Sequence, residues 1–320
     1  MFAIDNPIFN DVAAARAHLE AQVWPNGPFC PHCGNSDQTK IKALQGKAHR
    51  PGLYQCAECR EQFTVTVGTV FERSKVPLNK WLYATYLMNS SKKGVSSHQL
   101  HRTLGVTYKT AWFMSHRIRE AMSGVKGPAN PMGGEGAIVE ADETYFGQKE
   151  SKPTVKTSGK PFIKKGRSAH KIAIVSLVER GGKVRSFHVT RADAATVRDI
   201  LFTNVKRDSA LHTDESSLYT ETGKDYAAHE TVNHSAHEYA RDGVHTNSAE
   251  GFFGIFKRGM KGIYQHCSEK HLHRYLAEFD HRYNHRVKLG FNDDDRANRA
   301  LSGIVGKRLT YRRTGEAANA

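Results

Sequence analysis

The sequence predicts an α/β protein: a mixed five-stranded sheet with flanking helices, preceded by a small metal-bound head and a helix-turn-helix. Three observations carry this. Two Cys-x-x-C pairs stand near the start, at Cys30 and Cys33 and at Cys56 and Cys59. A run from Ser96 to Arg119 has capping residues and a glycine where two short helices would need them. Beyond Gly136, short apolar runs alternate with helix-like runs in the order strand, strand, strand, helix, strand, strand, helix.

From the start, residues 1–23 read as a short amphipathic helix with Val12, Ala15, Leu19 and Val23 facing inward. The two cysteine pairs follow, separated by 22 residues. Four thiolates at that spacing close one tetrahedral Zn²⁺ at about 2.3 Å, whereas a redox dithiol needs only one pair. Gly34 supplies the tight turn after the first pair, and Tyr54 and Phe63 flank the second. Strands are expected at Leu53 to Gln55 and Gln62 to Val67, and the ribbon should end near Thr69 to Phe71. A helix should run from Trp81 to Met88 after the Pro77-Leu78-Asn79 entry.

In the helix-turn-helix, Ser97 can cap the first helix, Gly105 make the turn and Thr107 cap the second. Ala111, Met114 and Ile118 form the inward stripe, which leaves Tyr108, Lys109 and His116 for DNA. Gly124 to Gly136 reads as a linker. These divisions give a head over 1–72, a DNA-binding region over 73–125, a catalytic domain over 130–300 and a basic tail over 301–320, its last five residues expected to be disordered.

Within the catalytic domain, strand 1 is Ala137 to Asp142, followed by a basic insert from Lys149 to Arg167. A hairpin comes next, Lys171 to Glu179 and Lys183 to Val189 around Gly181-Gly182. A helix over Ala194 to Asn204, a strand ending at Asp214, a further strand near Glu230 to His234 and a helix opening at Glu250 complete the domain, with a short helix allowed between the last two strands. This is close to the order of the ribonuclease H-like fold. It puts Asp142 and Asp214 on adjacent strands and Glu250 on a helix beside them.

Three converging carboxylates would repel unless a cation lay between them. Two Mg²⁺ or Mn²⁺ ions about 3.5–4 Å apart can be bridged by such a set and clamp both oxygens of a phosphodiester in transfer. Lys257 lies seven residues after Glu250, and at about 100° per residue it returns to the same helix face two turns on. On strand 1, Glu140 shares a face with Asp142 while Glu143 points away, so Glu140 is the rival of Asp142.

The chain carries 47 Lys and Arg against 32 Asp and Glu, a formal charge of +15, with clusters at 160–167, 257–261 and 307–313. Such clusters suit a polyanion, and nucleic acid is the first choice. Lys164, Lys165, Arg167, Lys257, Arg258 and Lys261 are the candidate phosphate contacts. No apolar run approaches the roughly 20 residues that cross a bilayer, and the first 19 residues mix acids and polar groups, so no membrane partner is expected and a cytoplasmic location is. The 18 histidines lack a clear metal-binding pair, Cys267 has no partner in sequence, and residues 271–279 read as a packing helix with Leu272, Tyr275, Leu276 and Phe279 buried.

From about Trp24 to Arg286 the chain resembles a family: DDE-class insertion-sequence transposases with a zinc-ribbon head, the prokaryotic branch related to the Merlin elements. The resemblance rests on Phe29-Cys30-Pro31-His32-Cys33-Gly34, Tyr54-Gln55-Cys56, Val139-Glu140-Ala141-Asp142-Glu143-Thr144-Tyr145 and His212-Thr213-Asp214. It rests above all on His245-Thr246-Asn247-Ser248-Ala249-Glu250-Gly251-Phe252-Phe253 with Lys257-Arg258-Gly259. It implies an enzyme that binds its element's terminal inverted repeats, cuts DNA and joins the 3′ hydroxyl to a target, as a homo-oligomer on DNA. It also implies Asp142 and Asp214 as the first two metal-holding acids. Some members have an asparagine at the third position, so Asn247 stands second to Glu250; an amide oxygen can ligate Mg²⁺ but brings no charge. Competing readings are a non-catalytic DNA-binding regulator and a ribonuclease H-like nuclease that cuts without joining.

Overall fold

The computed structural model describes residues 5–124, 127–147, 171–233, 240–241 and 243–310. The insert with Lys164, Lys165 and Arg167, His234 and His237, and the end beyond residue 310 lie outside the described residues. The chain divides into two compact units, Met1–Ser123 with His285–Ala320, and Gly124–Asn284. Each has its own apolar core.

In the first unit, the N-terminal stretch forms two helices, α1 (Pro7–Asn10) and α2 (Val12–Val23), because Asp11 breaks the run. Its carboxylate accepts from the Ala14 N–H at 2.6 Å and so caps α2. Ala15 and Leu19 are buried as expected, whereas Val12, at the first position of α2, is 40% exposed. The ribbon is a three-stranded antiparallel sheet of β1 (Ile41–Leu44), β2 (Leu53–Cys56) and β3 (Gln62–Phe63). Tyr54 lies opposite Phe63 in register, and Trp24 meets both rings edge-on at 5.3 and 5.9 Å.

Next come α3 (Leu78–Ser90), α4 (Ser97–Leu104) and α5 (Tyr108–Met122). Ser96, not Ser97, caps α4, its hydroxyl accepting from Gln99 N–H at 3.1 Å; the residue with extended φ and ψ must stand one place outside the helix. Gly105 ends α4 at φ 60°, where a Cβ would be strained, and Thr107 caps α5. Ala111, Met114 and Ile118 face inward. His116 is buried too, only 1% exposed and packed on Trp112 at 4.2 Å, which corrects its assignment to the DNA-facing surface. Two residues from both Met114 and Ile118, it lies on the opposite side of α5 from them, and it is buried because the helix is buried all round from Met114 to Arg119.

The final helix of the first unit, α10 (Asp293–Ser302), is opened by a capping box between Asn292 and Asp295. Leu301 and Ile304 enter the core, and the Lys307 ammonium donates to the carbonyls of Glu120, Ala121 and Ser123, the bare end of α5. The described part of the basic tail is therefore tied to the head.

The second unit is built on a five-stranded sheet of β4 (Ile138–Phe146), β5 (Ile172–Glu179), β6 (Val184–Val189), β7 (Ala210–Asp214) and β8 (Ala228–Val232). The spatial order is β6-β5-β4-β7-β8. Pairs β4/β5 and β5/β6 are antiparallel, β4/β7 and β7/β8 parallel. That mixed order is the ribonuclease H-like topology. Helix α6 (Ala194–Asn204) covers one face, with Val197 and Leu201 buried against Val139, Ala141 and Val175. Helices α8 (Asn247–Gly259) and α9 (Leu272–Asn284) cover the other, packing Phe252, Phe256, Leu276 and Phe279 on Ile172, Ile174 and Val184. A short α7 (Thr220–Gly223) lies between β7 and β8. Helix α8 starts at Asn247, three residues before its expected opening, which places Glu250 in its first turn.

Candidate active site

The sheet register sets two acids on adjacent strands. Glu140 pairs with His212 at the end of the parallel β4/β7 ladder, and the same register carried two residues further leads to Asp142 and Asp214, with Asp214 close enough to contribute to the raised Asp142 carboxyl. Asp214 ends its strand in a turn in which its Oδ1 accepts the Ser216 N–H at 3.1 Å, an arrangement that fixes one carboxylate oxygen. Alternation sends Glu143 to the opposite face, where the buried Tyr219 hydroxyl donates to its Oε2 at 2.7 Å.

The acids are coupled electrostatically. Burial first, then the charges of Glu143, Asp214 and Glu250, push the Asp142 carboxyl up to about 8. Burial likewise raises Glu143, with the Tyr219 hydroxyl pulling the other way. Burial lowers the Lys257 ammonium below its usual range, as do Lys261 and Lys171, against the opposing pull of Asp142. Lys257 therefore neighbours Asp142 from the last turn of α8, with Lys261 in the π-helical turn Met260–Tyr264 that follows. Asn247 and Glu250 are both exposed in the first turn. Glu250 contributes to the raised Asp142 carboxyl.

An all-oxygen set with surplus negative charge and a carboxyl driven towards protonation fits a hard dication such as Mg²⁺ or Mn²⁺. Among the described residues, however, the only group of three or more His, Cys, Asp or Glu whose ligand atoms all lie within 4.8 Å is the four cysteines. Asp142, Asp214 and Glu250 do not form such a group among the described residues.

Glu140 has other duties. It is 0% exposed, and its Oε2 accepts the backbone N–H groups of Ser248 and Ala249 at 2.8 and 3.1 Å. Its Oε1 accepts the Ser248 hydroxyl and the Arg180 Nε at 3.0 Å each. Bonds of this kind to a charged acceptor contribute about 1.5–3 kcal/mol each. The sequence could place Glu140 beside Asp142 but held no signal for Arg180, a single arginine at a hairpin turn, or for Ser248 and Tyr219 as partners.

In the head, Cys30 and Cys59 sulfurs lie 3.6 Å apart, and those of Cys33 and Cys56 3.7 Å. Four sulfurs each about 2.3 Å from one centre would stand about 3.8 Å apart, so the cluster fits a tetrahedral Zn²⁺. The two knuckles repeat one backbone pattern. Gly34 N–H bonds Cys30 O and Arg60 N–H bonds Cys56 O, both at 2.9 Å, and Gly34 and Arg60 both have positive φ. The backbone N–H of Cys59, helped by the Asn35 amide and the Glu58 N–H, lowers the Cys56 thiol to about 6, whereas, against the pull of the Glu61 N–H, burial and the neighbouring sulfurs raise the Cys59 thiol to about 12, so the thiols titrate as one coupled set. On α5, Tyr108 and Lys109 are exposed, and the Tyr108 ring stacks on His98 at 4.3 Å.

Comparison with known proteins agrees with this anatomy. Residues 133–284 match the profile of the ISXO2-like transposase domain, and residues 11–62 that of the transposase zinc-ribbon domain. A protein of the transposable element ISH50 of Halobacterium salinarum is 29% identical over 231 residues, spanning 69% of this chain and 74% of that one. The chain belongs to the insertion-sequence transposases that carry a zinc-ribbon head. Among solved structures, a chain of the simian T-cell lymphotropic virus intasome aligns at 15% identity and a TM-score of 0.29, over 57% of this chain and 63% of its own length, less than two thirds. A chain of the Mos1 strand transfer complex aligns at 12% identity and a TM-score of 0.22, over 64% and 76%. Overlays that loose carry no weight for the fold, which rests on the strand order.

No described helix is long and apolar enough to cross a membrane.

Proposed function

We propose that this transposase binds the terminal inverted repeats of its element through the first unit, cleaves the DNA and transfers the freed 3′-OH strand to a target in the second. The observation that supports the reading is that Asp142 and Asp214 follow the last pair of the parallel β4/β7 ladder on adjacent strands, with Asp214 and Glu250 both contributing to the raised Asp142 carboxyl. Asp142, Asp214 and Glu250, with Asn247 as the alternative third ligand, would hold two Mg²⁺ or Mn²⁺ ions, which when bound supply charge stabilisation to the attacking and leaving oxygens.

The chain's own residues do the rest. Asp142 and Asp214 would hold the ions as carboxylates, and Asp214 is presented with one oxygen fixed by the Ser216 N–H. Lys257 binds a phosphate near the scissile bond from the last turn of α8. Lys261 and the exposed Arg258 extend that basic edge along the strand. In the head, Zn²⁺ on Cys30, Cys33, Cys56 and Cys59 holds the ribbon together, and Tyr108 and Lys109 at the start of α5 face DNA.

The test is a cleavage and strand-joining assay on an oligonucleotide duplex carrying the element's end, with Mg²⁺ or Mn²⁺. Wild type should cut and join, and Asp142→Ala and Asp214→Ala should do neither. Cutting without joining at any DNA concentration would identify a nuclease. Full activity in Asp142→Ala would remove the acids from the mechanism.

A further inference from the structure

We propose that Glu140 and Arg180 form a positioning pair that fixes the first turn of α8 against β4, and so sets where the third ligand stands relative to Asp142 and Asp214. The inference rests on the catalytic reading of those acids and adds the device that aligns them.

A helix opens with N–H groups that have no partner within it. At α8 the preceding residue, Thr246, makes no capping bond with its side chain. The cap comes instead from another strand, with Glu140 accepting from Ser248 N, Ala249 N and Ser248 Oγ. A negative charge at that end also meets the positive end of the helix dipole. Because Glu140 precedes Asp142 by two residues on the same face of β4, one strand carries both a metal-holding acid and the clasp for the helix that carries another.

Arg180, just past the end of β5, closes the arrangement. Its Nε donates to Glu140 Oε1 at 3.0 Å, its Nη1 to Gly243 O at 2.7 Å and its Nη2 to His245 O at 3.0 Å. One guanidinium therefore holds both the clasp and the chain that leads into α8. The five donors of arginine lie in one plane, so it fixes angle as well as distance, which lysine cannot do. Apolar packing by Phe252 and Phe256 holds α8 on the sheet and sets its rotation about the helix axis to within the width of that apolar face. Two directional bonds to successive backbone N–H groups specify it, and rotation is what would swing Glu250 or Asn247 away from Asp142.

The experiment uses zinc-loaded full-length protein with Glu140→Gln and Arg180→Lys. Leu201→Ala serves as a comparator that weakens the core under α6, on the opposite face of the sheet. Asp142→Ala is the catalytic reference. Three quantities are read: Mn²⁺ binding without DNA by electron paramagnetic resonance, hydrogen exchange at the Ser248 and Ala249 amides, and cleavage against Mn²⁺ concentration. Both pair variants should exchange faster at those amides and need about 10–100-fold more Mn²⁺ for half saturation, with cleavage recovering towards wild type at saturating Mn²⁺. Leu201→Ala should lose thermal stability with unchanged Mn²⁺ demand. Unchanged Mn²⁺ binding in both Glu140→Gln and Arg180→Lys, or an equal loss in Leu201→Ala, would overturn the positioning role. Wild-type cleavage by Asp142→Ala would overturn the catalytic reading instead, a result that leaves the exchange data standing.

Discussion

Asp142 is where burial and charge meet most sharply. Its carboxyl is raised to about 8 in the fold, well above the usual carboxylate range. A group with a raised folded pKa contributes stability that is fully present below its unfolded value and is lost as pH rises through the folded one. Without a dication, the protein should therefore lose stability between about pH 4 and 8 on this account, by roughly 6 kcal/mol at most at about 1.4 kcal/mol per pKa unit. Asp142→Asn should remove that loss, melting higher than wild type at pH 8.5 in chelator and the same at pH 4. Saturating Mn²⁺ should raise the wild type alone. Melting curves across pH with and without Mn²⁺ check this, and a wild type insensitive to pH in chelator would contradict it. A smaller residue-scale effect belongs to Arg60. It takes at φ 62° the place that Gly34 holds at 78° in the first knuckle. Arg60→Gly should stabilise the zinc-loaded head by about 0.5–1 kcal/mol in denaturant titration, since a left-handed non-glycine costs about that much or more.

Elements differ in how far the sequence reveals them. Helix α6, capped by Asp193, and the β5/β6 hairpin around Gly181-Gly182 were legible because apolar period and punctuation agree there. Strand β4 runs four residues beyond its expected end, since Glu143, Thr144 and Tyr145 look polar in sequence while their backbones remain in the β5 ladder. β1 escaped notice because Ile41-Lys42-Ala43-Leu44 shows no alternation, although α10 had a readable start in Asn292 and three following acids. At the site, the acids could be read from strand ends, while the Glu140–Arg180 clasp could not, because its partners are distant in sequence. In the helix-turn-helix, periodicity placed Ala111 and Ile118 correctly but not His116. Lys109→Ala should weaken DNA binding uniformly and reduce the salt slope of log K by about one. His116→Ala should instead cost about 1–3 kcal/mol of stability with the slope unchanged. Binding isotherms at several salt concentrations separate the two; a reduced slope for His116→Ala would return that residue to the DNA surface.

At the scale of the molecule, the chain divides into two compact units, and the division of work proposed for them can be tested. The first unit contains the cysteine cluster and the helix-turn-helix, and it is closed by α10 and the Lys307 cap on α5; the second contains the acids. Composition alone pointed to a polyanionic partner, but the return of the C-terminal segment into the head could not be read from local pattern, since it depends on Leu301 and Ile304 finding a core almost the whole chain away. Zinc binding in small ribbons supplies much of their folding free energy, apparent values being about 10–16 kcal/mol. Cys30→Ser or Cys56→Ser should therefore release zinc and speed hydrogen exchange in residues 24–70, while the sheet from β4 to β8 keeps its protection and still binds Mn²⁺. Asp142→Ala should show the converse, with zinc content and DNA affinity of wild type and no strand cleavage. Zinc analysis, exchange and gel-shift assays on the same preparations decide it. Loss of DNA binding in Asp142→Ala, or loss of protection in the sheet when zinc leaves, would show that the two units do not divide the work in this way.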